Sequence, residues 1–387
     1  MKIAYIGTMG IPARYGGFET CVEEVAARLA KKGHEITVYC GYRGNEPRIK
    51  LYKNINLTYV KCLDRKFLDF PFRGILSTFN ALDHDFEIIH FYGTDAWPFA
   101  LLPRIKSSKT VLSLDGLPWK RTSYPIWVRR LLSSTARFAL YFPHLTTVDS
   151  KYVQEWYRNN FGELPVYVPY GANINLSKPD ERVLEKYGLR NKRYILFVGR
   201  LVYEKGVHYL VYAFNRIKTD FNLVIVGGDP YGKEYEGFLK RIANKNVKFL
   251  GYVYGDEFEH ICKGAYLYVT PSMLEGTSPA LLTAMALGKC TLVSDIPENL
   301  ETIGDSGFSF RNGDTEDLKN KLQFLLMQPN LVEQMQEKAI ARVKENYDWN
   351  LVSSRLEKIY FELLDNNTAS PFEVNPVITS PLTSTSL

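Results

Sequence analysis

Three charged side chains in the second half of the chain follow predicted strands: Arg200, Lys205 and Glu275. Arg200 and Lys205 lie in Gly199-Arg-Leu-Val-Tyr-Glu-Lys-Gly206, at the end of a strand predicted over Tyr194–Gly199. An arginine fork and a lysine point charge can together hold a diphosphate. Because negative charge grows on a diphosphate as it leaves a sugar, two fixed cations there would lower the barrier without a metal ion. The alternative is a surface loop with both cations exposed and no ligand. We expect folding to survive substitution of Arg200 or Lys205, because both are predicted to lie on an exposed loop.

Glu275 lies between a predicted strand, Ala265–Thr270, and a predicted helix, Ala280–Leu287. Ser278 and Pro279 suit the N-cap and the first position of that helix. The free N–H groups at the start of a helix attract an anion, and a carboxylate beside them can accept hydrogen bonds from sugar hydroxyls. This pairing favours a sugar nucleotide as the ligand. The alternative is an acid that only caps the start of a helix.

The beginning of the chain predicts a parallel, Rossmann-like sheet. A strand, Lys2–Ile6, leads through a glycine-rich loop to a helix over Phe18–Lys32 and a second strand over Glu35–Tyr39. The loop is not Gly-x-Gly-x-x-Gly, so the dinucleotide fingerprint is absent. Its Gly16 and Gly17 would still let backbone N–H groups approach a ligand closely; a plain tight turn is the alternative.

The strand pattern restarts after a polar linker, which predicts two α/β domains with a cleft between them. We expect one domain over residues 1–172 and a second over 173–349. A helix is predicted over 350–365, and the Ser-, Thr- and Pro-rich tail, 366–387, is predicted to be disordered. Further strands are predicted over Leu57–Val60, Glu87–Phe91, Thr110–Ser113, Leu145–Val148 and Val166–Tyr170.

These motifs resemble those of family 4 retaining glycosyltransferases, which have the GT-B fold. Gly199-Arg200, Lys205-Gly206, Glu275-Gly276 and Ala284-Met285-Ala286-x-Gly288 match the family pattern. The resemblance implies catalytic roles for Arg200, Lys205 and Glu275. It also implies that the first domain binds the acceptor, that the second binds the nucleotide sugar, and that the helix over 350–365 crosses back to the first domain. We assign donor binding to Gly16, Gly17, Gly199, Gly276, Thr277, Ser278 and Thr283. Thr283 departs from the family, where a glutamate at this place accepts hydrogen bonds from the ribose hydroxyls.

Asp115 and His90 are the predicted acceptor-binding residues. Asp115 lies where the resemblance places a residue facing the donor sugar and acceptor, and His90 is predicted to end a strand at the cleft. Asp83-His84-Asp85 matches the Asp-x-Asp of metal-dependent transferases, but it precedes a strand and is interpreted as a solvated loop. We therefore expect no metal and no other cofactor.

Composition indicates an ordinary globular protein of 387 residues with a net charge of +6. The five cysteines follow no metal-binding spacing and suit a reducing compartment. The apolar run at Met1–Gly7 is too short for a signal peptide, and we expect a cytoplasmic protein. The segment Trp119–Phe142 holds five cations and no acid among apolar residues. It predicts peripheral contact with an anionic membrane; a packed helix with a solvated basic face is the alternative.

The blocks Gly10-Ile-Pro-Ala-Arg-Tyr-Gly-Gly-Phe-Glu-Thr20 and Leu114-Asp-Gly-Leu-Pro-Trp-Lys-Arg121 resemble a bacterial branch associated with rhamnosyl transfer. The resemblance implies a retaining rhamnosyltransferase that uses a nucleotide-diphosphate sugar, with a glycan or lipid-linked acceptor and no nucleic acid partner. Two alternatives stay open: a catalytically weak sugar-nucleotide-binding subunit, and a sugar-nucleotide epimerase of the same fold.

Overall fold

Two parallel sheets organise the chain in the computed structural model, which describes residues 1–13, 16–44, 48–65, 68–121, 124–229, 232 and 234–365. The tail predicted to be disordered, 366–387, lies outside the described residues. None of the described helices has both the length and the apolar character needed to cross a bilayer.

The first sheet has eight strands, which run parallel except for the short edge strand β3. β1 lies near the centre because both of its edges are paired: Ile3 pairs with Ile36 on one side and with Ile88 on the other. The strands are β1 (Lys2–Ile6), β2 (Glu35–Tyr42), β3 (Leu51–Tyr52), β4 (Ile55–Lys61), β5 (Ile88–Tyr92), β6 (Lys109–Leu114), β7 (Leu145–Val148) and β8 (Val166–Tyr167). Their order is β3-β4-β2-β1-β5-β6-β7-β8.

Helices connect the strands of this sheet. They are α1 (Gly17–Lys31), α2 (Asp69–Leu82), α3 (Ile126–Thr135), α4 (Phe138–Tyr141) and α5 (Lys151–Phe161). A 3-10 helix, Phe99–Lys106, precedes β6. α1 packs its apolar face on the sheet, and Val22, Val25 and Leu29, which recur at helical spacing, are fully buried.

The second sheet has six parallel strands in the order β11-β10-β9-β12-β13-β14. They are β9 (Tyr194–Val198), β10 (Asn222–Val226), β11 (Val247–Gly251), β12 (Leu267–Thr270), β13 (Cys290–Ser294) and β14 (Phe308–Phe310). The accompanying helices are α6 (Glu181–Lys186), α7 (Val207–Asn215), α8 (Glu234–Ile242), α9 (Gly255–Gly264), α10 (Pro279–Ala286), α11 (Pro297–Ile303), α12 (Thr315–Leu326) and α13 (Pro329–Asn346).

The last helix, α14 (Trp349–Asp365), returns to the first domain and packs on α1. Glu357 on α14 binds Lys32 and His34 of the first domain, with 2.8 Å between its Oε1 and His34 Nε2. Tyr360, on the same helix, is fully buried. The fold confirms the predicted architecture of two Rossmann-like domains facing a cleft.

The 3-10 turn Tyr203–Lys205 and α7 do not form one continuous helix, because the turn ends at Gly206 and α7 begins at Val207. Gly206 has a φ of +63°, and a Cβ there would lie 2.1 Å from the carbonyl oxygen of Pro271. The helix is therefore interrupted where the loop packs against the end of β12. The predicted strand Val166–Tyr170 also ends early, at Tyr167.

Candidate active site

The cleft between the two domains opens at the carboxyl ends of both sets of strands, where parallel sheets bind ligands. It is lined by all the predicted site residues except His90: Gly16, Gly17, Asp115, Gly199, Arg200, Lys205, Glu275, Gly276, Thr277, Ser278 and Thr283.

Lys205 and Glu275 form an ion pair at the centre of the second domain's side of the cleft. The close packing of Gly206 on Pro271 brings their two loops together, and the backbone N–H of Met273 donates to the carbonyl of Glu204 at 2.8 Å. The side chains of Lys205 and Glu275 are only 18% and 8% exposed. The alternative of a solvated loop is therefore wrong for Lys205, which is held in place by a buried acid.

Arg200 is fixed through its backbone rather than its side chain. A Cβ on Gly227, whose φ is +128°, would lie 1.9 Å from the carbonyl oxygen of Gly199, so these two strand ends pack tightly. The next residue, Leu201, donates its N–H to Gly228 at 2.8 Å. The half-buried Arg200 guanidinium makes no hydrogen bond or ion pair with any of the described residues. It is therefore available to bind an anion in the cleft.

Two helices begin at the cleft and point their N-termini toward each other. α1 begins at Gly17 and α10 begins at Pro279; a Cβ on Gly17 would lie 3.1 Å from Cγ of Pro279. Ser278 caps α10 by accepting the N–H of Leu281, while Gly16 provides no side-chain cap for α1. The positive ends of two helix dipoles thus add to the charges of Arg200 and Lys205. The arrangement suits a ligand with a compact, multiply negative group such as a diphosphate.

Asp115 and Thr277 both line the cleft, and each is held by a neighbouring residue of the protein. Asp115 Oδ2 lies 3.4 Å from a guanidinium nitrogen of Arg121. Thr277 lines the cleft, but its N–H donates to Asp149 Oδ2 at 2.8 Å and its hydroxyl donates to the backbone oxygen of Asp149. The amide of Thr277 is therefore already engaged within the protein. Sequence reasoning did not identify Asp149, although it follows β7 directly and so carries the same strand-end signal as Asp115.

His90 does not reach the cleft, which corrects its predicted role in acceptor binding. It is fully buried, with Nδ1 bound to the Tyr360 hydroxyl and Nε2 2.7 Å from Ser113 Oγ. Its ring stacks on Tyr92 with 4.5 Å between centroids. Burial lowers the pKa of His90 to about 3, so the ring is neutral. The physical reason is that α14 covers this part of β5, and His90 joins α14 to the sheet.

Thr283 lies on α10 and also lines the cleft. Other lining residues on the second domain's side include Phe258 and two half-exposed tyrosines, Tyr252 and Tyr254. The tyrosine rings are parallel within 3°, with 6.0 Å between centroids. Flat aromatic faces of this kind suit a nucleobase.

The Asp83–Asp85 segment follows α2, and Asp83 caps the end of that helix. No group of three or more His, Cys, Asp or Glu side chains with the geometry of a metal site occurs among the described residues. The five cysteines are all buried and unpaired.

Two known families together match most of the chain. Residues 15–176 match Glycosyltransferase Family 4, and residues 180–342 match Glycosyl transferases group 1. The two matches divide the chain close to the boundary between its sheets.

Similar proteins with full-length or partial matches are also glycosyltransferases. An uncharacterized glycosyltransferase of Methanocaldococcus jannaschii is 26% identical over 368 residues, covering 90% of this chain and 95% of that protein. The N,N'-diacetylbacillosaminyl-diphospho-undecaprenol alpha-1,3-N-acetylgalactosaminyltransferase of Campylobacter jejuni is 25% identical and covers 62% of this chain and 66% of its own. The D-rhamnosyltransferase WbpZ of Pseudomonas aeruginosa is 29% identical over 46% of this chain and 48% of its own.

Solved structures share the fold. Sucrose-phosphate synthase from Thermosynechococcus elongatus superimposes with a TM-score of 0.82 at 20% identity, over 94% of this chain and 99% of that one. HepE of Anabaena, in complex with UDP-glucose, has a TM-score of 0.76 at 18% identity over 94% of this chain and 100% of its own. With this fold and these family matches, the protein is a glycosyltransferase of the GT-B type. More particularly, it joins a family 4 domain to a group 1 domain in one chain.

Proposed function

We propose that the protein is a retaining glycosyltransferase that transfers L-rhamnose from dTDP-rhamnose to a glycan or a lipid-linked acceptor in surface polysaccharide synthesis. The observation that carries the proposal is the cation pair at the cleft: Arg200, which has no partner among the described residues, and Lys205, which Glu275 holds in place. Both line the same cleft as the N-terminus of α10, where a diphosphate would be bound.

The chemistry requires no group beyond the substrates and this chain. The acceptor hydroxyl oxygen forms the new bond to the anomeric carbon, the bond from that carbon to the diphosphate oxygen breaks, and the hydroxyl proton passes to the leaving phosphate. Arg200, Lys205 and the two helix N-termini stabilise the charge that develops on the diphosphate. Glu275 orients Lys205 and accepts a hydrogen bond from a sugar hydroxyl, and Asp115 positions the acceptor.

A metal-independent reaction follows from this proposal, because the cations and helix N-termini replace a divalent ion at the diphosphate. We expect transfer to be unchanged by EDTA when the product is measured by radiolabelled sugar incorporation. A loss of activity in EDTA that Mg²⁺ or Mn²⁺ restores would contradict it.

The choice of dTDP rests on Thr283 and on the resemblance of Gly10–Thr20 and Leu114–Arg121 to rhamnosyl-transferring proteins. Thr283 is too short and uncharged to bind both ribose hydroxyls as a carboxylate does. A ribonucleotide would thus lose a charge-assisted contact typically worth about 1.5–3 kcal/mol, whereas deoxyribose offers only a 3′-hydroxyl. The relatives leave the sugar open: one is named for D-rhamnose and a structural neighbour holds UDP-glucose.

The deciding experiment is a donor screen with purified protein and a diphospho-undecaprenol-linked glycan, the kind of acceptor for which the Campylobacter relative is named. We expect dTDP-L-rhamnose to give a product with the anomeric configuration of the donor, as read by NMR. Conversion of the donor to an isomeric nucleotide sugar without acceptor would indicate an epimerase, and donor binding without turnover would indicate a binding subunit.

We also propose that the first domain contacts the cytoplasmic face of an anionic membrane through α3. This helix buries none of its residues, and Ile126, Trp127 and Leu131 are 63%, 59% and 55% exposed. Exposed Arg130 lies on the same helix, and exposed Arg137 follows it. The apolar side chains would enter the interface while the cations bind lipid headgroups.

Liposome flotation tests the membrane contact. Arg129 is unsuitable for substitution because its Nε donates to the carbonyl of Trp119 at 2.7 Å. We expect the pair Arg130→Gln and Arg137→Gln to reduce flotation with phosphatidylglycerol vesicles by roughly 10-fold or more, since each cation near the surface contributes about 1 kcal/mol. The matched control removes two exposed cations of the second domain, Lys245→Gln and Lys338→Gln. Equal flotation of both variants would contradict the assignment of α3.

A further inference from the structure

Asp149 connects two loops that belong to different domains. The first is the acceptor loop, Asp115–Gly116, and the second is the donor loop, Glu275–Thr277. Asp149 Oδ2 accepts the backbone N–H of Thr277 at 2.8 Å, while Oδ1 is buried with no hydrogen-bond partner among the described residues. The Thr277 hydroxyl also donates to the backbone oxygen of Asp149. Asp149, which is only 3% exposed, therefore bonds to the donor loop and lies close to the acceptor loop, since both its Oδ2 and the N–H of Gly116 approach Gly276.

The two loops are in direct contact at this point. A Cβ on Gly116 would lie 3.3 Å from the carbonyl oxygen of Glu275. A Cβ on Gly276 would lie 2.5 Å from Asp115 Oδ1 and 2.6 Å from Asp149 Oδ2. No side chain fits between the loops, and the Asp149 carboxyl, which accepts the N–H of Thr277, lies at this contact.

The residues after Asp149 strengthen the same junction. α5 begins at Lys151, and its N–H lies 2.9 Å from both carboxylate oxygens of Glu301, a residue of α11 in the second domain. The Ser150 hydroxyl lies 3.1 Å from Glu301 Oε2. A carboxylate at a helix N-terminus is stabilised by the free N–H groups and the helix dipole. These bonds cross from one domain to the other.

We propose that Asp149 is a positioning residue that holds the acceptor loop against the donor loop when the domains close. It touches neither substrate; it sets the distance between Asp115, which positions the acceptor, and Glu275, which lies at the donor. An error of about 1 Å in such a distance can cost about 100-fold in rate. The inference rests on the proposed function, since it concerns how two substrates of that reaction are brought together.

The uncharged form of the side chain is sufficient for this role. Burial and the neighbouring carboxylate of Asp115 raise the pKa of Asp149 well above its ordinary value. Asparagine has the same shape and keeps one oxygen that can accept the Thr277 N–H. Asp149→Asn is therefore the conservative variant, and Asp149→Ala removes both acceptor atoms.

The test compares transfer to the acceptor with hydrolysis of the donor by water. In Asp149→Ala we expect transfer kcat to fall by about 10–100-fold, while hydrolysis without acceptor stays within about 3-fold, because a water molecule needs no acceptor loop. We expect Asp149→Asn to retain transfer within about 5-fold of wild type. Loss of structure alone would lower transfer and hydrolysis together, so an unchanged ratio of the two in Asp149→Ala overturns the inference.

A second measurement makes the test independent of catalysis. Small-angle X-ray scattering of the protein with saturating dTDP should give a larger radius of gyration for Asp149→Ala than for wild type or Asp149→Asn. Equal radii would overturn the closure argument. A wild-type protein that transfers no sugar would instead refute the proposed function.

Discussion

Lys205 and Arg200 carry the same charge in the same cleft, but the structure predicts that replacing them will have different effects on stability. Lys205 is paired with Glu275, whose side chain is 8% exposed, whereas Arg200 has no ionic partner among the described residues. Lys205→Met would leave the Glu275 carboxylate buried without a cation. Removing one partner of a buried ion pair typically costs 3–5 kcal/mol, and we expect about 3 kcal/mol because Lys205 keeps some exposure to solvent. Arg200→Met removes no such pair and should change the free energy of unfolding by less than about 0.5 kcal/mol.

The effect on catalysis should be similar in both variants. Each removes a cation from the site of the leaving diphosphate, which we expect to lower kcat by at least about 100-fold. The assay measures urea-induced unfolding at constant pH together with steady-state transfer for the two methionine variants. Adding Glu275→Gln to Lys205→Met provides the control: it removes the unpaired charge and should restore much of the stability without restoring activity.

Two results would refute this reasoning. Equal stability of Lys205→Met and Arg200→Met would mean that the Lys205–Glu275 pair contributes nothing to the fold. Near-normal transfer in either variant would mean that the cation does not act on the diphosphate.

Three further predictions concern residues at different depths of the fold. Burial, and then the nearby Glu275, raise the pKa of Glu298 to about 7, so the folded state binds its proton more tightly than the unfolded state between about pH 4.5 and 7. The contribution of Glu298 to the free energy of unfolding should therefore fall as pH rises through that window, by at most about 3 kcal/mol. Glu298→Gln should be more stable than wild type at pH 8 but not at pH 4.5. Parallel stability curves of the two proteins in a pH series of urea unfolding would contradict this. Tyr360→Phe removes the hydroxyl bound to His90 and should lower the free energy of unfolding by about 1–3 kcal/mol. Transfer kinetics of the folded variant should be unchanged. A kinetic defect without a change in stability would indicate instead that His90 has a role in the reaction. Thr283→Glu should improve UDP binding by calorimetry more than dTDP binding, with Thr283→Ala as the uncharged control; equal gains, or a wild-type protein that already prefers UDP, would remove the assignment of a deoxyribose donor.

Much of the fold could be predicted from local patterns. The apolar runs of β1 and β9 are continuous because both faces of a parallel sheet are buried, and each run is followed by Gly at the place where the strand ends. Since all these strands run in one direction, the residues that follow them gather at one edge of their sheet. This is why the amino-acid sequence was sufficient to assign Arg200, Lys205 and Glu275 to one edge of the second sheet, whereas the resemblance to the family implied that Asp115 faces them from the first domain.

His90 shows where this reasoning stops. A strand that is buried on both faces has no alternation to reveal which way a residue points, so β5 did not indicate whether His90 faces the cleft or a covering helix. The answer depends on Tyr360, which is 270 residues away in sequence and lies on a helix that returns to the first domain. Only the packing of α14 could place it.

The sequence also could not show which polar groups bond to each other. Lys205 and Glu275 are 70 residues apart, and Asp149 and Thr277 are 128 apart. The sequence by itself determined the strands, the helix starts and the edge at which polar residues gather, because backbone hydrogen bonding and burial depend on neighbouring residues and their spacing. The tertiary structure alone decided which of those polar residues meet, because a hydrogen bond or an ion pair depends on distances between loops that different strands and different domains carry.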